Sequence, residues 1–188
     1  MKHLALALWL LAGPLVSNPV AAQSALPFNV GGQFSLVDQH GGARTQADPD
    51  GLPQLLFFGY ANCPGICSAA LPLMADVVTA LAKDGIALRP VMITVDPARD
   101  TVVNMGVPLK KYHEDLVGLT GDATALDRAY KAFSVDHAVA YEDPEYGTVY
   151  THGSMIYLLD ARGEVLTLIP PVMDAAKAAE VALTYLRP

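Results

Sequence analysis

Two thiols and one imidazole are the residues of this chain best suited to chemistry. Cys63 and Cys67 are its only cysteines and sit four residues apart in the stretch LLFFGYANCPGIC. His152 opens a second apolar stretch, THGSMIYLLD. Two thiolates with an imidazole form a soft donor set, which selects copper(I) and can also hold copper(II), zinc or nothing. The same two thiols could exchange with a partner disulfide, or close on each other. A disulfide over so short a loop adds little stability, so a purely structural role is the weaker reading.

The spacing narrows these options without closing them. A redox pair of the thioredoxin type has two residues between its cysteines, and here there are three. A zinc site of four cysteines is excluded by the count. One of two cysteines and two histidines would need His40, His113 or His137, and nothing in their spacing recommends it. If Cys67 lies in the first turn of a helix, Cys63 stands just ahead of it on the same side. The positive end of the helix then favours thiolate, the form that both ligates and attacks. His152 could complete a three-ligand site, or be a loop histidine that merely hydrogen-bonds.

Around these residues the chain reads as an exported protein. Lys2 and His3 precede the apolar run Leu4–Ala12, and Val20, Ala21 and Ala22 supply small residues for cleavage. Residues 1–22 are therefore expected to be a signal peptide, with residues 23–188 forming one domain whose core spans about 31–186. The alternative is an uncleaved N-terminal anchor, although the apolar run is short for a membrane span. The expected location is periplasmic or otherwise extracytoplasmic, where close thiols oxidise unless a reductant or a metal holds them. The net charge of −7, with no basic run or basic aromatic patch, argues against nucleic acid as a partner.

The elements that must position the three residues follow from apolar spacing. FSLVDQHGG predicts a strand and turn, half of a hairpin. Leu55 to Tyr60 predict a central strand buried on both faces, and Asn62 to Gly65 a turn. Leu71, Met74, Val77, Val78 and Leu81 predict a helix over Ile66–Lys83. Leu88 to Val95 predict the next strand, so strand, helix and strand form a parallel unit. Asp100 or Thr101 is expected to cap a following helix, which Gly106 and Pro108 should break or shift. A short strand at LVGLTGD and a helix over Thr124–Phe133 come next, then a polar loop over 136–151. Met155–Leu159 and Val165–Ile169 predict a hairpin, and Asp174–Leu186 a closing helix. The expected fold is α/β: a thioredoxin-like mixed sheet flanked by helices, with an added N-terminal β-hairpin. In such a sheet the His152 loop passes over the cysteine turn.

The chain resembles the Sco/SenC family of copper chaperones for cytochrome c oxidase. The resemblance is carried by GGQFSLVDQHGG, LLFFGYANCPGIC, ITVDPARDT, VGLTGDATAL, AYKAF and THGSMIYLLDARGEV, in that order over about residues 31–166. It implies one copper ion per monomer, Cu(I) or Cu(II), held by Cys63, Cys67 and His152. It also implies delivery to the copper A site of oxidase subunit II, or to another extracytoplasmic copper protein. A copper donor or a thioredoxin-like reductant would be a further partner. The alternative role is a thiol–disulfide oxidoreductase that reduces partner cysteines before metallation, with Cys63 attacking and Cys67 resolving. Copper sensing is a third reading. A peroxidase is disfavoured because no Thr-x-x-Cys motif is present. Conventional enzymatic activity is not expected beyond possible thiol–disulfide reduction.

The chain departs from the family pattern beside the site. Gly65 and Thr151 stand where acidic residues are usual, Ser68 where a proline is usual, and Gly153 where a small polar residue is usual. These changes remove nearby negative charge and leave the three ligands. Arg99, in the DPARD loop, is expected to pair with a carboxylate and hold that loop. Tyr60 is expected to pack, and Met74 and Met155 to belong to the core. Glu142, Asp143 and Glu145 are expected to form a solvated acidic flap rather than a second cation site.

Overall fold

The computed structural model describes Leu26 and residues 29–187. The expected signal peptide over 1–22 lies outside the described residues. The main sheet has seven strands. They are β1 (Ser35–Asp38), β2 (Ala43–Thr45), β3 (Gln54–Gly59), β4 (Arg89–Thr94), β5 (Val117–Thr120), β8 (Ile156–Leu159) and β9 (Val165–Ile169), in the spatial order β2-β1-β5-β4-β3-β8-β9. The strands β6 (Ala138–Asp143) and β7 (Gly147–Thr151) form a separate two-stranded sheet. The helices are α1 (Cys67–Lys83), α2 (Gly106–Lys110), α3 (Ala123–Ala132) and α4 (Ala175–Leu186).

Strand β3 is the hub. All six of its residues are buried, as an unbroken apolar run on a two-sided central strand requires. It pairs in parallel with β4 and antiparallel with β8, with Leu56 opposite both Val91 and Tyr157. Alternation then sends neighbouring side chains to opposite faces. Phe58 meets Tyr130, Phe133 and Tyr157 at ring separations of 6.1, 5.4 and 5.9 Å. Phe57 points the other way and meets His152 at 5.7 Å. The N-terminal hairpin β1–β2 joins the sheet through antiparallel pairing of β1 with β5. Buried Asp48 ties this end to β4 by accepting from Arg44 at 3.0 Å and Arg89 at 3.2 Å. The expected thioredoxin-like mixed sheet with an added hairpin is what the chain forms.

Two expectations need correction. Residues 136–151 are not a loop but the β6–β7 hairpin. β6 is exposed along nearly its whole length, so no apolar period marks it as a strand. The strands are held by their mutual backbone pairing and by the turn. There Asp143 accepts from the N–H groups of Glu145 and Tyr146, and Gly147 takes a positive φ of 71°. Neither Asp100 nor Thr101 caps α2. The helix is a short piece preceded by Met105 without a side-chain cap, and Asp100 turns inward instead. The expected shift of this helix is what Gly106 and Pro108 produce. Asp122 and Asp174 do cap α3 and α4.

The aromatic cluster around Phe58 joins the hub strand to α3 and β8. Phe58→Ala is expected to lower unfolding stability by about 3–5 kcal/mol, because a fully buried ring leaves a cavity among rings that cannot collapse. Denaturant titration would measure it; a loss below about 1 kcal/mol would mean that this cluster does not anchor the fold.

Candidate metal centre

The site begins where β3 ends. Ala61 leaves the strand with its N–H bonded to the buried Asp100 carboxylate at 3.0 Å, and Asp100 also accepts from the Thr94 hydroxyl at 2.8 Å. One carboxylate thus joins the cysteine turn to the end of β4. Burial pushes the Asp100 pKa up, against the pull of those two donors. The turn closes with Cys63 N–H on the Tyr60 carbonyl, and α1 starts at Cys67. Ile66 precedes the helix and offers no side-chain cap. The amides of Cys67 and Gly65 lie close enough to the Cys63 sulfur to favour its thiolate. Ser68 donates its hydroxyl to the Gly65 carbonyl at 2.7 Å, which stiffens the turn where the family pattern has a proline.

His152 arrives from the opposite direction. It follows β7 directly and lies four residues before β8, whose antiparallel pairing with β3 carries it over the cysteine turn. Its Nδ1 lies 3.0 Å from the Gly153 carbonyl. A carbonyl only accepts, so Nδ1 carries the proton and Nε2 presents a lone pair. That Nε2 stands 3.9 Å from the Cys63 sulfur and 3.7 Å from the Cys67 sulfur. The three donor atoms lie within 4.8 Å of one another. A trigonal ion with bonds of ~2.3 Å to sulfur and ~2.0 Å to nitrogen needs sulfur–nitrogen separations of ~3.7 Å, close to the two sulfur–imidazole distances. The donor set therefore fits a metal, and its softness and low coordination number are compatible with copper. Among the described residues this is the one group of three such side chains that converges.

The remaining sequence candidates fall elsewhere. Glu142, Asp143 and Glu145 do not gather; Asp143 is used in its own turn. Met74 is fully buried in the core, whereas Met155 lies outside β8 and half-buried. His113 accepts from Asp115 N–H, and His137 packs at a tilt against Tyr130 with ring centroids 4.5 Å apart. Arg99 pairs with Asp96, as expected. Tyr60 packs its ring against His152 at 5.9 Å and also accepts a hydrogen bond from the Tyr150 N–H at 3.3 Å.

Sequence reasoning missed Gly59 and the anchoring role of Asp100. A Cβ on Gly59 would sit 2.9 Å from the Cys67 sulfur and 2.6 Å from the Phe57 ring. Its absence lets Cys67 tuck against the end of the strand. The only sequence signal was the glycine interrupting an aromatic run, and by itself that signal names no neighbour.

The two thiols are chemically unequal. Cys67 is buried and Cys63 half-exposed at the rim of a cavity of about 830 Å³, whose wall includes Arg99, Lys111, Tyr112 and Tyr146. The Cys67 thiol donates to Cys63, and with the amides of Cys67 and Gly65 this lowers the Cys63 pKa to about 4, against the opposing effect of burial. Burial, and then the negative charge on Cys63, push Cys67 up. The pair thus loses its first proton from Cys63. Alkylation of metal-free reduced protein should therefore mark Cys63 with a rate constant nearly flat from about pH 5 to 8, falling only as pH drops toward about 4. A rate rising tenfold per unit up to pH 8 would mean an ordinary thiol.

Comparison with known proteins places this geometry. A family model described as SCO1/SenC matches residues 22–187. The SCO2-like protein of Rickettsia conorii is 36% identical over 140 residues, covering 73% of this chain and 67% of its own length. The mitochondrial SCO2 homolog of Bos taurus is 37% identical over 151 residues, covering 79% of this chain but 55% of its own. Among solved structures, copper-bound ScoI of Bradyrhizobium japonicum superposes with a TM-score of 0.73 at 32% identity, covering 84% of this chain and 99% of the other. Copper-bound ScoI of Arabidopsis thaliana gives 0.78 at 26% identity, covering 84% and 98%. With the family model spanning nearly the whole chain and the same fold found in copper-bound relatives, this protein belongs to the SCO1/SenC family.

Proposed function

We propose that this chain is an extracytoplasmic copper chaperone that carries one copper ion as cargo on Cys63, Cys67 and His152. The observation that carries this reading is the convergence of two sulfurs and a bare imidazole nitrogen within 4.8 Å at the end of the central strand. Residues 23–188 act as one domain once residues 1–22 are removed on export. Among the described residues, no helix is long and apolar enough to cross a membrane. The recipient is the copper A site of cytochrome c oxidase subunit II, or another extracytoplasmic copper protein. Transfer proceeds by ligand exchange. Cys63 is the exposed donor, so a partner thiolate reaches the metal on that side while buried Cys67 still holds it.

A second reading is favoured by the inequality of the thiols. In a thiol–disulfide exchange the Cys63 thiolate attacks one sulfur of a partner disulfide, forming a mixed disulfide and releasing the other sulfur as a thiolate that takes a proton. Cys67 then loses its proton and attacks the Cys63 sulfur. The second partner thiol leaves, and the Cys63–Cys67 disulfide remains. Two electrons pass to the partner, and an external dithiol of the thioredoxin-like class must return them.

Titration of the reduced 23–188 protein with copper(I) separates the two readings. One tight equivalent is expected, and His152→Ala should weaken it at least about tenfold, ~1.4 kcal/mol, while leaving thiol exchange nearly unchanged. No specific copper uptake, together with a readily exchanged Cys63–Cys67 disulfide, would assign the protein to thiol reduction.

A further inference from the structure

The β6–β7 hairpin is not hydrogen-bonded into the main sheet, yet His152 hangs from its end. Something else must fix it. Main-chain groups of alternate strand residues point to the same edge. On β7 and the residue before it, that alternation puts Tyr146, Thr148 and Tyr150 on one edge. Side chains occupy all three positions. The Arg99 guanidinium donates Nη1–H to the Tyr146 carbonyl and Nη2–H to the Thr148 carbonyl, the second at 2.5 Å. The Tyr60 hydroxyl accepts from the Tyr150 N–H at 3.3 Å. Arg99 and Tyr60 therefore stand where a neighbouring strand would.

The guanidinium is itself fixed. Its Nε–H bonds to Asp96, whose side chain is almost fully buried, and its carbon lies 5.7 Å from the Tyr60 ring centroid. The hairpin makes room for it. Gly147 carries no Cβ, and one built there would lie 2.7 Å from Arg99 Nη1. The planar fork explains why an arginine is used: two carbonyls and a carboxylate are engaged at once from one rigid group, which a lysine cannot do.

We infer that Arg99 is a positioning residue for His152: it clamps β7 to the loop after β4 and so holds the imidazole at the distance from the two sulfurs that a shared metal needs. The inference deepens the proposed function and rests on His152 being a metal ligand. The route is short. Thr148 and His152 are four residues apart, ~13 Å of strand. Outside the hairpin, the imidazole is held by edge contacts with Phe57 and Tyr60 and by its bond to Gly153. Losing the clamp frees the strand that delivers the ring while leaving both cysteines, their turn and the Asp100 anchor in place.

A double-mutant cycle tests this. Copper(I) dissociation constants would be measured by competition with a chromophoric chelator for wild type, Arg99→Ala, Arg99→Lys, His152→Ala and the Arg99→Ala/His152→Ala pair. Arg99→Ala is expected to weaken copper(I) about tenfold, the range seen when groups that orient a ligand are removed, and to cost almost nothing further once His152 is absent. Arg99→Lys keeps a cation for Asp96, so its melting temperature should stay near wild type while the affinity loss persists. Losses that multiply in the double variant, or an unchanged affinity in Arg99→Ala where His152→Ala weakens binding, would overturn the inference. Should Arg99→Ala fail to fold, Gly147→Ala applies the same test from the hairpin side. The metal-free protein gives an independent readout: 15N signals of the His152 ring should show one tautomer in wild type and averaging in Arg99→Lys. Identical ring signals in both would overturn the clamp. A failure of His152→Ala itself to weaken copper would instead count against the proposed function.

Discussion

The antiparallel pairing of β8 with β3 is the constraint on which the site depends. Cys67 and His152 are separated by 85 residues, and nothing local draws them together. They meet because β3 delivers the cysteine turn at its C-terminal end and β8, running the other way, begins at that same end. Register makes this strict. With Leu56 opposite Tyr157, every side chain of β8 has its face assigned, and a slip of one residue would move its apolar set off the core. Burial of β3 on both faces removes the freedom to slip. The metal-binding geometry is therefore specified by core packing, some distance from the donor atoms themselves.

Electrostatics then divides labour between two chemically identical side chains. Cys63 lies in the turn, within reach of backbone N–H groups and of the imidazole; Cys67 lies inside the first turn of α1 against Gly59 and Phe57. Burial disfavours charge on Cys67, and the neighbouring negative sulfur disfavours it further. Hydrogen bonding from Cys67, with two nearby amides, favours charge on Cys63. A metal cation would reverse the penalty on Cys67 by supplying the missing positive charge, so loading couples to loss of its proton. The same asymmetry serves copper transfer and thiol exchange, which is why the thiols by themselves do not separate the two roles and the imidazole does.

The hairpin that carries His152 is built by a different rule from the rest of the molecule. The main sheet is held by apolar burial. The β6–β7 pair is held chiefly by its own backbone bonds, the turn from Asp143 to Gly147 and two side chains along its free edge, with Val149 and the Tyr150 ring its small apolar share. Polar attachments of this kind are directional, so they fix position well for the small area they bury. They also leave Val139, Tyr141 and Tyr146 exposed on the hairpin, with Tyr146 at the rim of the cavity beside Cys63.

The sequence by itself determined the parts governed by local pattern. The unbroken run of β3, the helical period of α1, the amphipathic span of α3 and the turn between β8 and β9 were all legible, because burial imposes residue types at fixed spacings. The donor residues were legible too, since two lone cysteines at the start of a helix have few uses. Arg99 was readable as the partner of a nearby carboxylate. Only the tertiary structure decided the rest. Asp100 reads as a helix cap in sequence, yet it is withdrawn to anchor Ala61 because a buried N–H left without a partner costs more than an open helix end in water. Strand β6 carries no apolar alternation because it buries almost nothing, and in β7 only Val149 is buried, so no periodicity could announce the hairpin. Gly59 matters through a sulfur eight residues on, and Arg99 through carbonyls nearly fifty residues on. Such contacts join segments that meet only when the sheet is assembled, and no local spacing encodes them.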